Sequence, residues 1–145
     1  MKPDNILIAE DGHLKLADFG LAKELEDEDE RTYTFCGTTS YLPPEVVDKM
    51  GHGKAMDWYM IGVFLHEMIT GAPPYYCEDK DEMMEHISRH TLQLPTDISP
   101  EAYRLLTALL AKDPNTRLGA RGSEEVKTHE YFADVDWGKV YRKEI

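Results

Sequence analysis

Two cysteines in 145 residues, Cys36 and Cys77, with no CxxC spacing, leave neither a disulfide framework nor a thiolate metal site. Unpaired thiols fit a reducing compartment, so a cytoplasmic or nuclear location is expected. Cys36 reads as a small reduced side chain packed under a loop. Long apolar runs are missing too. The longest candidate, 60–68, is broken by His66 and Glu67 and falls far short of the ~20 apolar residues that a membrane span needs. The opening Met1-Lys2-Pro3-Asp4 carries neither a signal-peptide pattern nor a myristoylation glycine. Positive charge is scarce: 16 lysines and arginines stand against 28 aspartates and glutamates, a formal net charge of -12. That balance argues against nucleic acid and anionic membrane as direct partners and is compatible with a basic peptide. Much of the acid lies in one run, 24–30, which reads as a solvated, mobile stretch. Neither an internal repeat nor a domain boundary is visible.

What is present is ordinary globular material, 41% hydrophobic and 30% charged, long enough for one domain with a core. Ile6-Leu7-Ile8 and Leu14-Lys15-Leu16 flank an Asp11-Gly12 turn, which predicts a β-hairpin. The hairpin puts Asn5 at its entrance and Asp18 at its exit, where both side chains can converge on one ion. Residues 21–45 form a long connection without periodicity, and such lengths are functional or disordered in compact domains. Over 55–70, Met56, Tyr59, Met60, Val63, Phe64 and Met68 recur at helical spacing while Ile61 and Leu65 fill the other face. This predicts a helix buried nearly all round, stopped by Gly71-Ala72-Pro73-Pro74. Residues 79–90 predict a surface helix with Met83, Met84 and Ile87 inward. Ser99-Pro100-Glu101 supplies a cap, a first-turn proline and a first-turn acid for a helix running to Lys112. Ser123 is expected to cap a short helix reaching His129, and the tail 135–141 to contribute aromatic anchors. The fold class is α+β, mainly α-helical. His86 and His90, one helical turn apart, read as a solvated face rather than a zinc site, and the methionines as core fillers.

Four short motifs carry chemistry: Lys2-Pro3-Asp4-Asn5, Asp18-Phe19-Gly20, Gly37-Thr38 and Pro43-Pro44-Glu45. Phosphoryl transfer requires a metal on the phosphates, a group that orients the hydroxyl, and cations for the moving phosphoryl. Magnesium takes hard oxygen donors, which the Asn5 amide and the Asp18 carboxylate provide. In this order and spacing the motifs resemble the second half of a protein kinase catalytic loop, the magnesium-binding DFG, and the segment ending in APE, with Pro43 for the usual alanine. The resemblance continues. Thr32-Tyr33-Thr34-Phe35-Cys36-Gly37-Thr38 is similar to the activation loop of the AGC group of serine/threonine kinases. Asp57-Trp58-Tyr59 resembles the start of the central helix, where the family usually has two tryptophans. Arg117-Leu118-Gly119 resembles the late arginine motif, and 129–145 the start of the AGC C-terminal tail. Gly51-His52-Gly53-Lys54-Ala55 and Gly71-Ala72-Pro73-Pro74 look most like ribosomal S6 kinases. The match covers residues 1–145 but only the C-terminal, large-lobe half of a kinase domain, a partial domain with a small N-terminal β-hairpin.

The resemblance implies roles residue by residue. Lys2 would reach the γ-phosphate, and Thr38 would bridge Lys2 and the catalytic aspartate. Asn5 and Asp18 would hold magnesium. Thr34 matches the activation-loop phosphothreonine, with Lys23 as a phosphate contact. Glu45 and Arg117 match a buried ion pair that anchors the loop, and Asp57 an acceptor for the catalytic-loop backbone. Asp4 and Glu67 match positions that receive substrate arginines, for which carboxylates are well suited. Ser40 stands where many relatives carry an acid, which weakens that pocket.

Within these residues there is no glycine-rich phosphate loop, no strand lysine with its helix glutamate, and no His-Arg-Asp. The expected function is therefore that of a parent AGC kinase: ATP- and magnesium-dependent phosphorylation of serine or threonine in basic proteins, under an upstream activating kinase. Residues 1–145 alone are expected to be inactive and to expose apolar surface on the 55–70 helix. The alternative is a non-catalytic, pseudokinase-like binding or regulatory module.

Overall fold

A computed structural model of the chain describes residues 1–26 and 30–144. The middle of the acidic run, 27–29, and residue 145 lie outside the described residues, so the reading of that run as a mobile stretch lies partly outside them as well. The architecture is α+β and mainly helical, as expected. A 3-10 turn, Pro3–Asn5, leads into β1, Ile6–Ile8, which pairs antiparallel with β2, Leu14–Leu16. Gly12 closes the turn with φ 84, a left-handed conformation that suits glycine, and Asp11 Oδ1 accepts the His13 N–H at 3.1 Å.

The helical body begins after a second 3-10 turn, Thr39–Tyr41, with α1 (Pro44–Val47). Then come α2 (Ala55–Thr70), α3 (Lys80–Arg89), α4 (Pro100–Leu109), α5 (Ser123–Lys127) and α6 (Trp137–Tyr141). Local chemistry explains most of the ends. Asp79 caps α3 by accepting the N–H groups of Asp81 and Glu82, both at 2.9 Å. Ser99 caps α4 through the Ala102 N–H at 3.1 Å. Gly71, at φ 85, closes α2 through a bond to Glu67 O.

The core lies between α2 and α4. Tyr59 and Val63 from α2 pack with Leu106 from α4 and with Leu110 just beyond it, all at most 2% exposed, while Leu105 and Leu109 pack with Val126 and against Trp58, Ile61 and Leu65 on the other side of α2. Each such side chain contributes about 1.5–3 kcal/mol by leaving water. Gly62 sets how closely the two helices approach: a Cβ there would lie 2.9 Å from Leu109 Cβ. Among the described residues no helix is long and apolar enough to cross a membrane.

Four expectations need correction. α2 is not buried all round: Met68 and Ile69 are exposed, because α4 and the Tyr41 turn cover only one side. α4 stops at Leu109 rather than Lys112, and the chain beyond it turns so that the Ala111 and Lys112 carbonyls meet the Arg117 guanidinium. Ser123 does not cap α5. Gly122, at φ 130, occupies that position without a side-chain bond, and the helix ends at Lys127. In the tail, Trp137 is an anchor, donating from Nε1 to Lys127 O at 3.0 Å with its ring edge-on to Phe132, whereas Tyr141 is exposed.

Candidate functional site

The hairpin brings the two proposed metal donors to one end. Asn5 O accepts the Ala17 N–H at 2.8 Å, so Asn5 and Asp18 emerge side by side. Asp18 has φ 62, a left-handed backbone that costs a non-glycine residue about 1–3 kcal/mol and is characteristic of functional sites. Its Oδ1 accepts the Gly20 N–H at 3.3 Å, and its side chain is otherwise open to solvent. An amide oxygen and a carboxylate fit magnesium, which commonly takes one or two protein oxygens and fills its shell with water and substrate phosphates. No group of three His, Cys, Asp or Glu side chains able to hold a metal forms elsewhere among the described residues.

Lys2 and Asp4, assigned to phosphate and to a substrate arginine, pair with each other at 3.5 Å. An exposed pair of this kind is worth about 0–1 kcal/mol, so either partner is readily released to a ligand.

Two contacts that fasten the long connection stand out among the described residues. Thr32 and His52 exchange both backbone hydrogen bonds at 2.9 Å, an isolated antiparallel bridge. Two residues on, Thr34 is exposed, its Oγ1 3.5 Å from Thr32 Oγ1. Lys23 Nζ lies 3.2 Å from Glu30 Oε1, so the cation expected to meet a Thr34 phosphate faces a carboxylate. Thr38 is exposed and accepts the Tyr41 N–H at its carbonyl, 2.9 Å, to open the 3-10 turn.

The second fastening is the buried Glu45–Arg117 pair. Arg117 Nη1 and Nη2 donate to the two Glu45 oxygens at 2.7 and 2.9 Å. The remaining guanidinium donors reach Ala55 O, Ala111 O and Lys112 O at 3.0, 2.9 and 3.2 Å. All five N–H groups are thus used, and the guanidinium also stacks over the Tyr59 ring at 5.0 Å. Burial raises the Tyr59 pKa above its ordinary value.

Glu67 is half-buried and accepts a hydrogen bond from the Tyr41 hydroxyl. Sequence reasoning missed Tyr41: it lies in the Ser40–Glu45 stretch, and nothing local says that it reaches a residue 26 positions on. A cleft of about 420 Å³ lies beside this segment, lined by Gly37, Thr38, Ser40, Tyr76, Cys77 and Met83. Asp57 stands at the N-terminal turn of α2, where burial raises its pKa, partly opposed by His52. Burial lowers the His52 pKa, while Glu45 and Asp57 pull it upward. The structure thus gathers Asn5 with Asp18, Lys2 with Asp4, Lys23 with Glu30, and Glu45 with Arg117. It does not join Thr34 to Lys23 or Thr38 to Lys2 by any hydrogen bond or ion pair.

Residues 1–132 match the family described as Protein kinase domain. The chain is 48% identical over 147 aligned positions to ribosomal protein S6 kinase alpha-2 of Mus musculus, covering 100% of this chain and 20% of that relative. It is 46% identical to ribosomal protein S6 kinase alpha-6 of Homo sapiens, again covering 100% and 20%. To protein kinase 2 of Dictyostelium discoideum it is 48% identical, covering 100% and 30%. The chain therefore spans between a fifth and a third of the length of these relatives.

Proposed function

The chain belongs to the protein kinase domain family, with AGC-type ribosomal S6 kinases among its relatives, and from that premise we propose that it supplies the metal-binding and peptide-facing half of a serine/threonine kinase site. The reaction is transfer of the ATP γ-phosphoryl group to a hydroxyl in a basic protein. The observation that supports this reading is the backbone bond from the Ala17 N–H to Asn5 O, which holds the chain at Asn5 next to the chain leading into the left-handed Asp18. Asn5 and Asp18 would hold magnesium, which supplies charge neutralisation on the phosphates. Lys2 releases Asp4 to meet the transferred group, and Thr38 steadies Lys2 against the base. Asp4 and Glu67 receive substrate arginines as bidentate acceptors, with Tyr41 orienting Glu67. Glu45, Arg117 and Asp57 are structural. Phosphate on Thr34 adds about 1.5–2 negative charges and draws Lys23 away from Glu30, under an upstream kinase. The base and the glycine-rich phosphate cover are not among these residues, so residues 1–145 alone bind ATP weakly and transfer no phosphate.

The test is transfer from radiolabelled ATP to an arginine-containing peptide, with magnesium, by the protein in the form in which its own cells make it. Asp18→Ala should lower kcat by about a hundredfold or more. Unchanged transfer by that variant would overturn the assignment. Peptide binding without transfer in the wild-type protein would favour the non-catalytic module.

A further inference from the structure

Gly51 and Gly53 face the long connection across an unusual junction. The Thr32–His52 pair exchanges both hydrogen bonds, so the antiparallel register sets Arg31 opposite Gly53 and Tyr33 opposite Gly51 as the flanking non-hydrogen-bonded pairs. Backbones come closest in such pairs. The spacing sets the Tyr33 and Arg31 side chains where a side chain on residue 51 or 53 would stand. A Cβ at Gly51 would lie 2.8 Å from Tyr33 Cε1, and one at Gly53 would lie 2.8 Å from Arg31 Nη1 and 3.2 Å from Glu30 O. Gly51 has φ 80 and would favour glycine in any case. Gly53 is not in the left-handed region, so what a side chain there would meet is the segment lying on it: the movable end of Arg31 and the fixed Glu30 carbonyl. Strand alternation completes the pattern. Arg31 and Tyr33 point onto the glycines, whereas Thr32 and Thr34 share the other face, their hydroxyl oxygens 3.5 Å apart.

We propose that Gly51-His52-Gly53 is a seat for the segment 30–33 and that this seat positions Thr34 for phosphorylation. The second half rests on the reading of Thr34 as the regulatory phosphosite. Seating fixes the two residues before Thr34 in extended form and turns its hydroxyl outward. The upstream kinase then receives a segment whose ordering cost has already been met. Arg31, Tyr33, Gly51 and Gly53 are positioning residues, none of them in contact with reacting atoms.

The test uses the full-length protein isolated from its own cells, with amide exchange and Thr34 phosphate occupancy both read by mass spectrometry. Gly53→Ala crowds the seat, and Tyr33→Ala empties it without touching the 51–53 backbone. In both, the Thr32 and His52 amides should exchange about tenfold faster, and Thr34 occupancy should fall severalfold. Arg31→Ala in the Gly53→Ala background should recover part of both. Unchanged exchange in both variants would overturn the seat. Faster exchange with unchanged occupancy would overturn its positioning role. A wild-type protein that never carries phosphate at Thr34 would sink the phosphosite reading and the positioning role with it, while faster exchange in the variants would still establish the seat.

Discussion

Two bidentate ion pairs in this chain have opposite surroundings, one end-on through Nη1 and Nη2 and the other side-on through Nε and Nη2. Arg117 grips Glu45 at 2.7 and 2.9 Å with side chains 0% and 5% exposed. Arg142 grips Glu144 through two bonds of 2.8 Å with side chains 58% and 48% exposed. The perturbation is Glu→Gln at each, which keeps shape and removes charge. At Glu45 it strands a guanidinium that water cannot reach, at a cost of about 3–5 kcal/mol. Set against a typical domain stability of about 5–15 kcal/mol, that loss would bring a marginal protein close to unfolding at room temperature. The melting temperature should fall by on the order of 10 °C. At Glu144 the charge left behind is solvated, and no measurable change is expected. The assay is equilibrium urea unfolding followed by circular dichroism and by Trp58 and Trp137 fluorescence. The double variant Glu45→Leu/Arg117→Met should recover only partly, because the carbonyls of Ala55, Ala111 and Lys112 lose their donor at about 1–3 kcal/mol each. A loss under about 1 kcal/mol for Glu45→Gln, at the level of a surface pair, or equal losses at the two sites, would refute the burial reasoning.

His52 should make the protein acid-sensitive. Its folded pKa lies below its ordinary value near 6.5 through burial, so the unfolded chain binds the proton first and stability falls as pH drops below about 6.5. Thermal unfolding between pH 8 and 5 should show a smaller decline in His52→Asn than in wild type, and an identical decline would count against it. Gly119→Ala would place a Cβ 2.5 Å from Trp58 Cγ at a backbone φ of 93. The melting temperature should fall by several degrees, corresponding to more than about 1 kcal/mol, and an unchanged melt would refute the contact. Glu67→Gln in the full-length protein should raise KM for a peptide with upstream arginines by about tenfold with kcat nearly unchanged, the pattern of lost uniform binding. Tyr41→Phe should move KM the same way to a smaller extent, and a pure kcat effect would refute the arginine-receiving role of Glu67.

Legibility followed the range of the interaction. The hairpin, both bounds of α2 and the cap at Ser99 were readable because each rests on residues within a few positions. The Glu45–Arg117 pair, 72 residues apart, was readable only through resemblance to kinases, since spacing alone carries no such signal. The end of α4 and the cap of α5 were misplaced for a different reason, since backbone geometry that residue type does not announce decided them: the chain after Leu109 turns so that the Ala111 and Lys112 carbonyls meet Arg117, and Gly122, at φ 130, takes the capping position without a side-chain bond.

By itself the sequence determined the order of the elements, the acidic balance, and the family through its spaced motifs, because these depend on residue type and neighbour spacing. Only the tertiary structure decided which side of α2 stays open, that Tyr41 holds Glu67, that Lys23 faces Glu30, and that two glycines seat the segment before Thr34. Each of these depends on the distance between surfaces remote in the chain, and that distance is set by how the core closes.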